Sequence, residues 1–327
     1  MRVFGFMFIN LTLYEVVRIT LFTKSKSSIM ATKYTFSGHE TFQCRHLWLK
    51  KGYDFVKANR SFNDEDAVLI LGVGKNMVNA IRFWMKAFGI IEQNDQLTPF
   101  AHKLLADDGW DPYLEDEASL WLLHYHLVTN NIASSYALFF NELRKEKIEF
   151  TKEHFISFIE RKSKTTGDFV ANRNTLETDF NVLTKMYYRS DAQNKDREDT
   201  FSGILTELDL IKGKGRRDDI DGKKGEELYI VENTEKTEIP ENVILYSILH
   251  NGGFESSINL STIEQDSNSI GSVFAINRSG ILMKIEALTK KYKSHIVFND
   301  TAGIRELQFR EPMDKFECLE DYYNNGK

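Results

Sequence analysis

Residues 75–88 (KNMVNAIRFWMKAF) limit the fold more strongly than any other segment, because they divide into two opposite faces at helical spacing. At about 100° per residue, polar and apolar side chains separate to opposite sides of such a helix. The polar side carries Lys75, Asn79, Arg82 and Lys86, which we call the basic stripe. The apolar side carries Met77, Ile81, Trp84 and Phe88. The pattern predicts a helix that is anchored in a core by one face and presents cations to solvent with the other.

The segments on either side of this helix have the order of a winged helix-turn-helix. Residues 64–71 (DEDAVLIL) predict a short amphipathic helix with acids in its first turn, and the GVG at 72–74 predicts a tight turn. Gly89 is suited to end the following helix, and residues 90–97 (IIEQNDQL) predict a small hairpin. We therefore predict a winged helix-turn-helix over residues 40–106.

For the whole chain we expect a mainly α fold with small β hairpins, built from two or three winged-helix-like units. Residues 201–213 (FSGILTELDLIKG) resemble the end of the first recognition helix, and residues 270–309 combine helical periodicity with a hairpin. A charged break at 190–200 suggests a domain boundary. The predicted domains are 1–30 as a non-native or disordered extension, 31–130 as a winged helix-turn-helix DNA-binding unit, 131–200 as a helical region, 201–311 as a second and third winged-helix-like region, and 312–327 as a frayed tail.

The beginning of the chain is apolar over residues 3–22, but Glu15 and Arg18 interrupt it. A membrane-spanning helix needs about 20 residues that are almost free of charge, and a secretory signal needs a short apolar core before a cleavage site. We therefore interpret this segment as an upstream extension rather than an anchor or targeting signal. The interpretation predicts no membrane partner. The two cysteines are far apart in sequence and indicate no disulfide framework, which favours a cytoplasmic protein.

Charge is distributed unevenly. The chain has 42 Lys and Arg against 48 Asp and Glu, a net charge of −6, which excludes a uniformly basic coat but not a local basic patch. Residues 31–60 carry six bases and two acids (+4), residues 61–91 carry three of each, and residues 92–142 carry one base and nine acids (−8). Positive charge is therefore confined to the front of the first unit, which favours duplex DNA as its partner.

The expected DNA contacts follow from side-chain chemistry. Lysines of the basic stripe would hold phosphates, while its amide and its guanidinium can read base edges. Further basic residues in the preceding helix would extend the backbone contacts. The predicted contacts are Arg45, Lys50, Lys51, Lys75, Asn76, Asn79, Arg82 and Lys86. The hypothesis requires that Arg82 and Lys86 are neither packed inside the protein nor neutralised by the acid-rich residues 106–117.

Catalytic residues stay unknown at this point. His39 and Glu40 could act as base and acid in phosphodiester cleavage, but capping the next helix or bracing the turn accounts for them better. The acidic segment 106–117 (ADDGWDPYLEDE) could bind a metal, but its turn residues and its place before a helix favour a solvated loop, so we predict no metal site. The GVG turn lacks the spacing of a P-loop.

Three sequence blocks together resemble a known bacterial family. They are FSGHETFQCRHLWLKKGYD, GVGKNMVNAIRFWMKAFGII and DGWDPYLEDEASLWLLHYHL, and the resemblance extends over residues 34–310. The family is domain-of-unknown-function family 4007 (DUF4007). The resemblance implies a cytoplasmic DNA-acting protein of a defence island, encoded near phosphoadenosine-phosphosulfate-reductase-like proteins and linked to DNA phosphorothioation. It supplies no agreed catalytic residues.

Three functions remain open from the sequence. We favour a DNA-binding component of a bacterial DNA-modification (phosphorothioation-type) or antiphage defence system, with no cofactor. The enzymatic alternative is a metal-dependent DNA nickase that uses the His39 and Glu40 region and would require Mg²⁺. The third is a protein-assembly module whose aromatic second half docks other subunits of the system.

Overall fold

Helices account for most of the secondary structure of the computed structural model, which describes residues 34–189, 202–216, 225–252, 256–301 and 303–325. The helices of the first half are α1 (Trp48–Lys57), α2 (Ala67–Leu71), α3 (Lys75–Ala87), α4 (Pro99–Leu105), α5 (Glu117–Thr129), α6 (Ser134–Leu138), a π-helical turn (Phe139–Leu143), α7 (Arg144–Glu146), α8 (Lys152–Thr166) and α9 (Arg173–Tyr187). Those of the second half are α10 (Glu241–Asn251), α11 (Leu260–Gln265), α12 (Ile270–Phe274), α13 (Arg278–Lys291) and α14 (Lys315–Asn325).

The strands form two small antiparallel sheets. They are β1 (Glu149–Phe150), β2 (Lys212–Arg216), β3 (Glu227–Ile230), β4 (Ser257–Asn259), β5 (Ile296–Thr301) and β6 (Ile304–Phe309). The strand order is β1-β3-β2 in one sheet and β4-β6-β5 in the other. In each sheet, therefore, the strand that comes first along the chain pairs with the strand that comes last. The predicted class, mainly α with small β elements, is therefore confirmed.

The prediction for residues 64–97 agrees with the structure in its element order. Gly72 ends α2 with a left-handed φ of 65°, α3 begins after Gly74, and Gly89 follows α3 with a φ of 70°. Both left-handed glycines stand where a side chain would strain the backbone. The predicted hairpin is reduced to one antiparallel bridge, between Ile91 and Leu97.

The centre of the core is α5, which is buried along nearly its whole length, from Ala118 to Val128. Its two histidines have internal partners. His124 lies 2.7 Å from the Tyr187 hydroxyl and 2.8 Å from the carbonyl oxygen of Val273, and His126 Nε2 lies 2.8 Å from the Tyr246 hydroxyl. A helix that is apolar on all sides needs protein around it, and α5 is covered in this way.

The second half confirms the hairpin and corrects the segment before it. β5 and β6 pair in register up to Thr301 and Ile304, as the periodicity of 270–309 predicted. The segment predicted at 201–213, however, does not repeat a recognition helix: in its described part, residues 202–213, the helical content is a 3₁₀ turn at Thr206–Leu208, followed by the start of β2. The reason lies at Gly203, where a Cβ atom would fall 2.4 Å from the Met186 Cα, so the segment must run closely against the backbone of α9.

The prediction of a frayed tail at 312–327 is also wrong, because α14 occupies most of it. Leu319 and Cys318 are buried, and the Tyr323 ring stacks on Trp110 with 5.2 Å between centroids. The Tyr323 hydroxyl lies 2.8 Å from Ser119 Oγ on α5. Apolar residues at helical spacing within an acidic segment were the signal for this docked helix.

The extension predicted at 1–30 lies outside the described residues, and so do residues 190–200 themselves. The prediction of a domain boundary at 190–200 is wrong, because β1 before this segment pairs with β3 after it in one sheet. In the portions of the chain that the structure describes, none of the helices has the length and apolar character to cross a membrane.

Candidate nucleic-acid interface

The inner face of α3 is anchored as its sequence predicts. Trp84, Ile81 and Phe88 are fully buried. The Trp84 indole N–H donates to the carbonyl oxygen of Phe42 at 2.9 Å, which ties α3 to the segment before α1. The apolar face therefore holds the helix in a fixed orientation, and the opposite face is available for other contacts.

The first turns of α3 are open to solvent. Lys75, Asn76 and Asn79 are all exposed. The amide nitrogen of Asn79 lies 3.4 Å from a carboxylate oxygen of Glu40, which is itself exposed. Because the first N–H groups of any α-helix have no partner within the helix, this end offers main-chain donors together with a lysine and two amides.

The far end of the basic stripe is not free. Arg82 donates two hydrogen bonds to Asp95, from Nε at 3.1 Å and from Nη2 at 2.5 Å. The ammonium of Lys86 lies 2.9 Å from the same carboxylate and donates to the carbonyl oxygen of Gln93 at 2.9 Å. Burial alone would raise the pKa of Asp95, but the hydrogen bonds from the two cations outweigh it and hold that pKa below its usual value.

This contact corrects part of the hypothesis. The neutralising acid comes from the hairpin after α3, not from the acidic segment 106–117. Arg82, Lys86 and Asp95 together carry a net charge of +1, so Lys75 is the stripe's cation with no ion pair among the described residues. Asp95 was missed because the helical periodicity covers only α3, while the acid approaches from a turn 13 residues away from Arg82.

Lys50 is not available for the DNA contact that the sequence predicted. Its side chain is 8% exposed, and its ammonium donates to Asp54 at 2.8 Å, to Asp107 at 2.7 Å and to the Leu105 carbonyl oxygen at 3.2 Å. All three donors of this lysine are therefore engaged inside the first unit. Its position on the helix face that packs against α4 decides this, whereas the neighbouring Lys51 is exposed.

Arg45 lies at the edge of the same unit. Its guanidinium carbon is 5.4 Å from the centroid of the Trp48 ring, and the side chain is half-buried. It is therefore held against an aromatic ring with part of its surface in solvent, which is compatible with a contact to a phosphate.

His39 and Glu40 are placed very differently from each other. His39 is buried, its Nε2 lies 3.0 Å from Asp179 Oδ1, and its ring stacks on Trp84 with a centroid distance of 5.8 Å. Asp179 also accepts hydrogen bonds from the Ser37 N–H at 2.9 Å and from Ser135 Oγ at 2.5 Å. His39 therefore braces the loop against α9 and does not face a substrate.

The loop around His39 is conformationally unusual. Ser37, Glu40 and Thr41 have left-handed φ values of 64°, 50° and 70°. Each such non-glycine residue costs of order 1 kcal/mol and persists only where its surroundings hold it. Asp179 supplies much of that support, and its place among the buried residues of α9 is the signal that sequence reasoning overlooked.

The acids of the segment 106–117 serve local structure. Asp111 accepts hydrogen bonds from the N–H groups of Glu115 and Asp116 and from Ser119 Oγ, while Asp116 caps α5. In the described parts of the chain, no three side chains of the His, Cys, Asp or Glu type come together as a metal-binding group.

Comparison with known proteins identifies the family. The chain belongs to a family described as "Protein of unknown function (DUF4007)", whose model matches residues 36–323. Two similar solved structures are described as SspB, one of them as magnesium ion-bound. Their TM-scores are 0.78 for the magnesium-bound structure and 0.77 for the other, each with 28% sequence identity over 91% of this chain and 91% of the SspB chain. A search of curated proteins gives no significant match.

Proposed function

We propose that this member of the DUF4007 family binds duplex DNA by placing the start of α3 in the major groove. The observation that carries the proposal is the polarity of α3: its rear face is fixed by Trp84, while Lys75, Asn76 and Asn79 are exposed at its first turns. In helix-turn-helix proteins the N-terminal residues of the recognition helix are those that contact base edges.

The element order supports winged-helix-like units. In the first unit, α2, the GVG turn, α3 and the bridged hairpin follow one another. In each later unit a strand, helices and a two-stranded hairpin follow in sequence, and the first strand pairs with the last. This order is typical of a winged helix, so we propose three winged-helix-like units, the second ending in β2-β3 and the third in β5-β6.

The contacts are assigned according to which groups are accessible. Lys75 and the main-chain N–H groups at the start of α3 would hold a phosphate, and Asn76 and Asn79 would meet base edges. Arg45 and Lys51 would add contacts to the phosphate backbone. Lys86 would chiefly fix the hairpin, since it is bound to Asp95 and Gln93.

We place this activity in a bacterial DNA-modification system of the phosphorothioation type or in an antiphage defence system. Its partners there would be a phosphoadenosine-phosphosulfate-reductase-like protein and other subunits of the system. The resemblance of the three sequence blocks to the family is the support for this placement. Co-purification with the products of neighbouring genes, compared between cells with and without those genes, tests it.

The salt dependence of DNA binding tests the main proposal. Fluorescence anisotropy with a labelled duplex at several salt concentrations gives a slope that falls by about 0.9 for each lost phosphate contact. We expect Lys75→Ala to lower both affinity and slope, and Lys75→Ala combined with Arg82→Ala and Lys86→Ala to lower them further. Lys164→Ala, an exposed lysine on α8, serves as the matched control. An unchanged slope in the triple variant would contradict the assignment.

A second candidate is a magnesium-dependent DNA nickase. It is favoured by one observation, the description of a similar SspB structure as magnesium ion-bound. The residues present do not fit a resident metal, since the described residues hold no group of three potential ligands. Glu40 is exposed beside α3, whereas His39 is buried against Asp179, so we assign no catalytic role to His39.

A supercoiled-plasmid assay separates the two candidates. Nicking that requires Mg²⁺ and is lost in Glu40→Gln with DNA affinity retained would support the nickase. Binding without nicking, at any Mg²⁺ concentration, would support the DNA-binding component alone. Asp66→Asn, which removes an exposed acid near α2, is a control for the loss of negative charge.

A further inference from the structure

Asp95 binds one particular edge of the Arg82 guanidinium. Asp95 lies in the turn after α3 with a left-handed φ of 65°. Its two carboxylate oxygens accept from Nε and Nη2 of Arg82, at 3.1 Å and 2.5 Å. This is a side-on, bidentate pair, and Arg82 remains 33% exposed while making it.

The side-on pair leaves the other edge of the guanidinium available. A guanidinium has five N–H donors in a planar fork, and the pair with Asp95 uses two of them. Of the atoms on the outer edge, Nη1 makes a contact of 3.4 Å with Oδ1 of Asn63, which is exposed. That distance is long for an N–H···O hydrogen bond, so this contact is easily exchanged.

We propose that Asp95 is a specificity-determining residue that orients Arg82 so that the outer edge of its guanidinium reads a guanine in the bound duplex. This inference rests on the proposed binding of DNA by α3. The outer edge carries parallel N–H donors, and guanine presents O6 and N7 as paired acceptors in the major groove. An arginine already fixed by a carboxylate loses less side-chain freedom when it makes that contact.

A simpler role for Asp95 makes a different prediction. If Asp95 only lowers the positive charge of the stripe, its removal raises affinity for every duplex by the same factor. If it orients Arg82, its removal reduces the preference for guanine, whatever happens to the overall affinity. Glu92, an exposed acid in the same hairpin, has no ion pair among the described residues and provides the matched charge control.

The test is a selection from duplexes with a randomised central region, followed by anisotropy on pairs of duplexes that differ at one G·C position. We expect the full chain to prefer guanine at one position by about 5- to 150-fold, the range of a bidentate base contact. Arg82→Lys should abolish this preference, and Asp95→Asn should reduce it at least about fivefold. Glu92→Gln should raise affinity for all duplexes and leave the preference unchanged.

The outcomes distinguish this inference from the proposed function. Binding whose salt slope falls in Lys75→Ala, together with an Asp95→Asn variant that keeps the full guanine preference, would overturn the role of Asp95 alone. An absence of guanine preference in the unmodified chain would do the same. No binding of any duplex at low salt would overturn both. Thermal unfolding of Asp95→Asn and Arg82→Lys establishes that both variants are folded.

Discussion

Helices α3 and α5 both have 13 residues, yet they use their polar side chains in opposite ways. In α5 the polar groups are satisfied inside the protein: Ser119 by Asp111 and Tyr323, and His124 by Tyr187 and a carbonyl oxygen. In α3 the polar groups lie on one face, and those of its first turns are exposed to solvent.

The difference shows where function can be sought in this chain. A buried polar group must be paired within the fold, so the histidines and serine of α5 stabilise a particular packing. An exposed polar group can instead hydrogen-bond to water. If the opposite face of its helix is fixed in the core, its donors and acceptors remain available to a ligand. Within α3 the same distinction separates Lys75 and Asn79 from Lys86, which is engaged by the hairpin.

The largest effect should come from the anchored face of α3. Trp84→Ala removes a fully buried ring that contacts His39, Phe88 and Tyr136, and we expect a loss of about 3–5 kcal/mol in the free energy of unfolding. Denaturant titration measures it. Phe83→Ala, at a half-buried neighbouring position, should cost less, and an equal loss in both variants would show that the inner face of α3 is not the anchor.

The buried histidines of α5 should make the stability of the protein depend on pH. Burial lowers the pKa of His124 from its usual 6.5 to about 3, outweighing the effect of its hydrogen bond to Val273, and burial also lowers the pKa of His126 well below 6.5. Below about pH 6.5 the unfolded chain takes up protons at these sites and the folded chain does not. The free energy of unfolding should therefore fall as pH falls, by up to about 1.4 kcal/mol per pH unit for each histidine.

A variant identifies the residue responsible. Denaturant titrations between about pH 6.5 and pH 5 should show a shallower dependence for His124→Asn than for the unmodified chain, by close to one proton. The matched control is His46→Gln, which replaces an exposed histidine outside α5. The same pH dependence in His124→Asn as in the unmodified chain would mean that His124 does not remain neutral in the folded protein.

The sequence predicts the limits of α3 much better than it predicts the partners of its side chains. The division of α3 into two faces and its glycine boundaries gave its limits to within one residue, because local periodicity determines them. The partner of Arg82 could not be read in the same way, since Asp95 reaches it through a turn. The same holds outside α3 for His39, whose partner Asp179 lies 140 residues away in sequence. Which charged side chains remain unpaired depends on contacts between residues that are distant in sequence. Helical spacing does not predict these contacts.

The same limit explains why the segment predicted at 201–213 to repeat the recognition helix does not do so in its described residues. Ile204, Leu205 and Leu208 have helical spacing, but they are buried as an irregular segment because Gly203 runs against the backbone of α9. Conversely, lysine is a residue type that is usually exposed, but Lys50 is buried because it lies on the face of α1 that packs against α4. In each case the environment supplied by distant residues outweighs the local pattern.

Lys50 and Lys51 provide a smaller test of buried against exposed cations. Lys50→Met removes hydrogen bonds to Asp54 and Asp107. Because both acids are exposed and regain water, we expect a loss in the free energy of unfolding that is measurable but clearly smaller than that of Trp84→Ala. Lys51→Met should change it by less than about 0.5 kcal/mol. The proposed DNA binding predicts the opposite ranking of the two variants. Lys51→Met should reduce the salt slope of DNA binding, and Lys50→Met should leave that slope unchanged.

The smallest change in stability should come from the exposed face of α3. Asn79 makes one contact, 3.4 Å long, with Glu40, and alanine has the higher helix propensity. Asn79→Ala should therefore alter the free energy of unfolding by no more than about 0.5 kcal/mol, in either direction. Ser119→Ala in α5, which leaves Asp111 and Tyr323 without a shared buried partner, should cost about 1–3 kcal/mol. If Asn79→Ala is as costly as Ser119→Ala, the outer face of α3 is part of the packing and its amide is not available to a base edge.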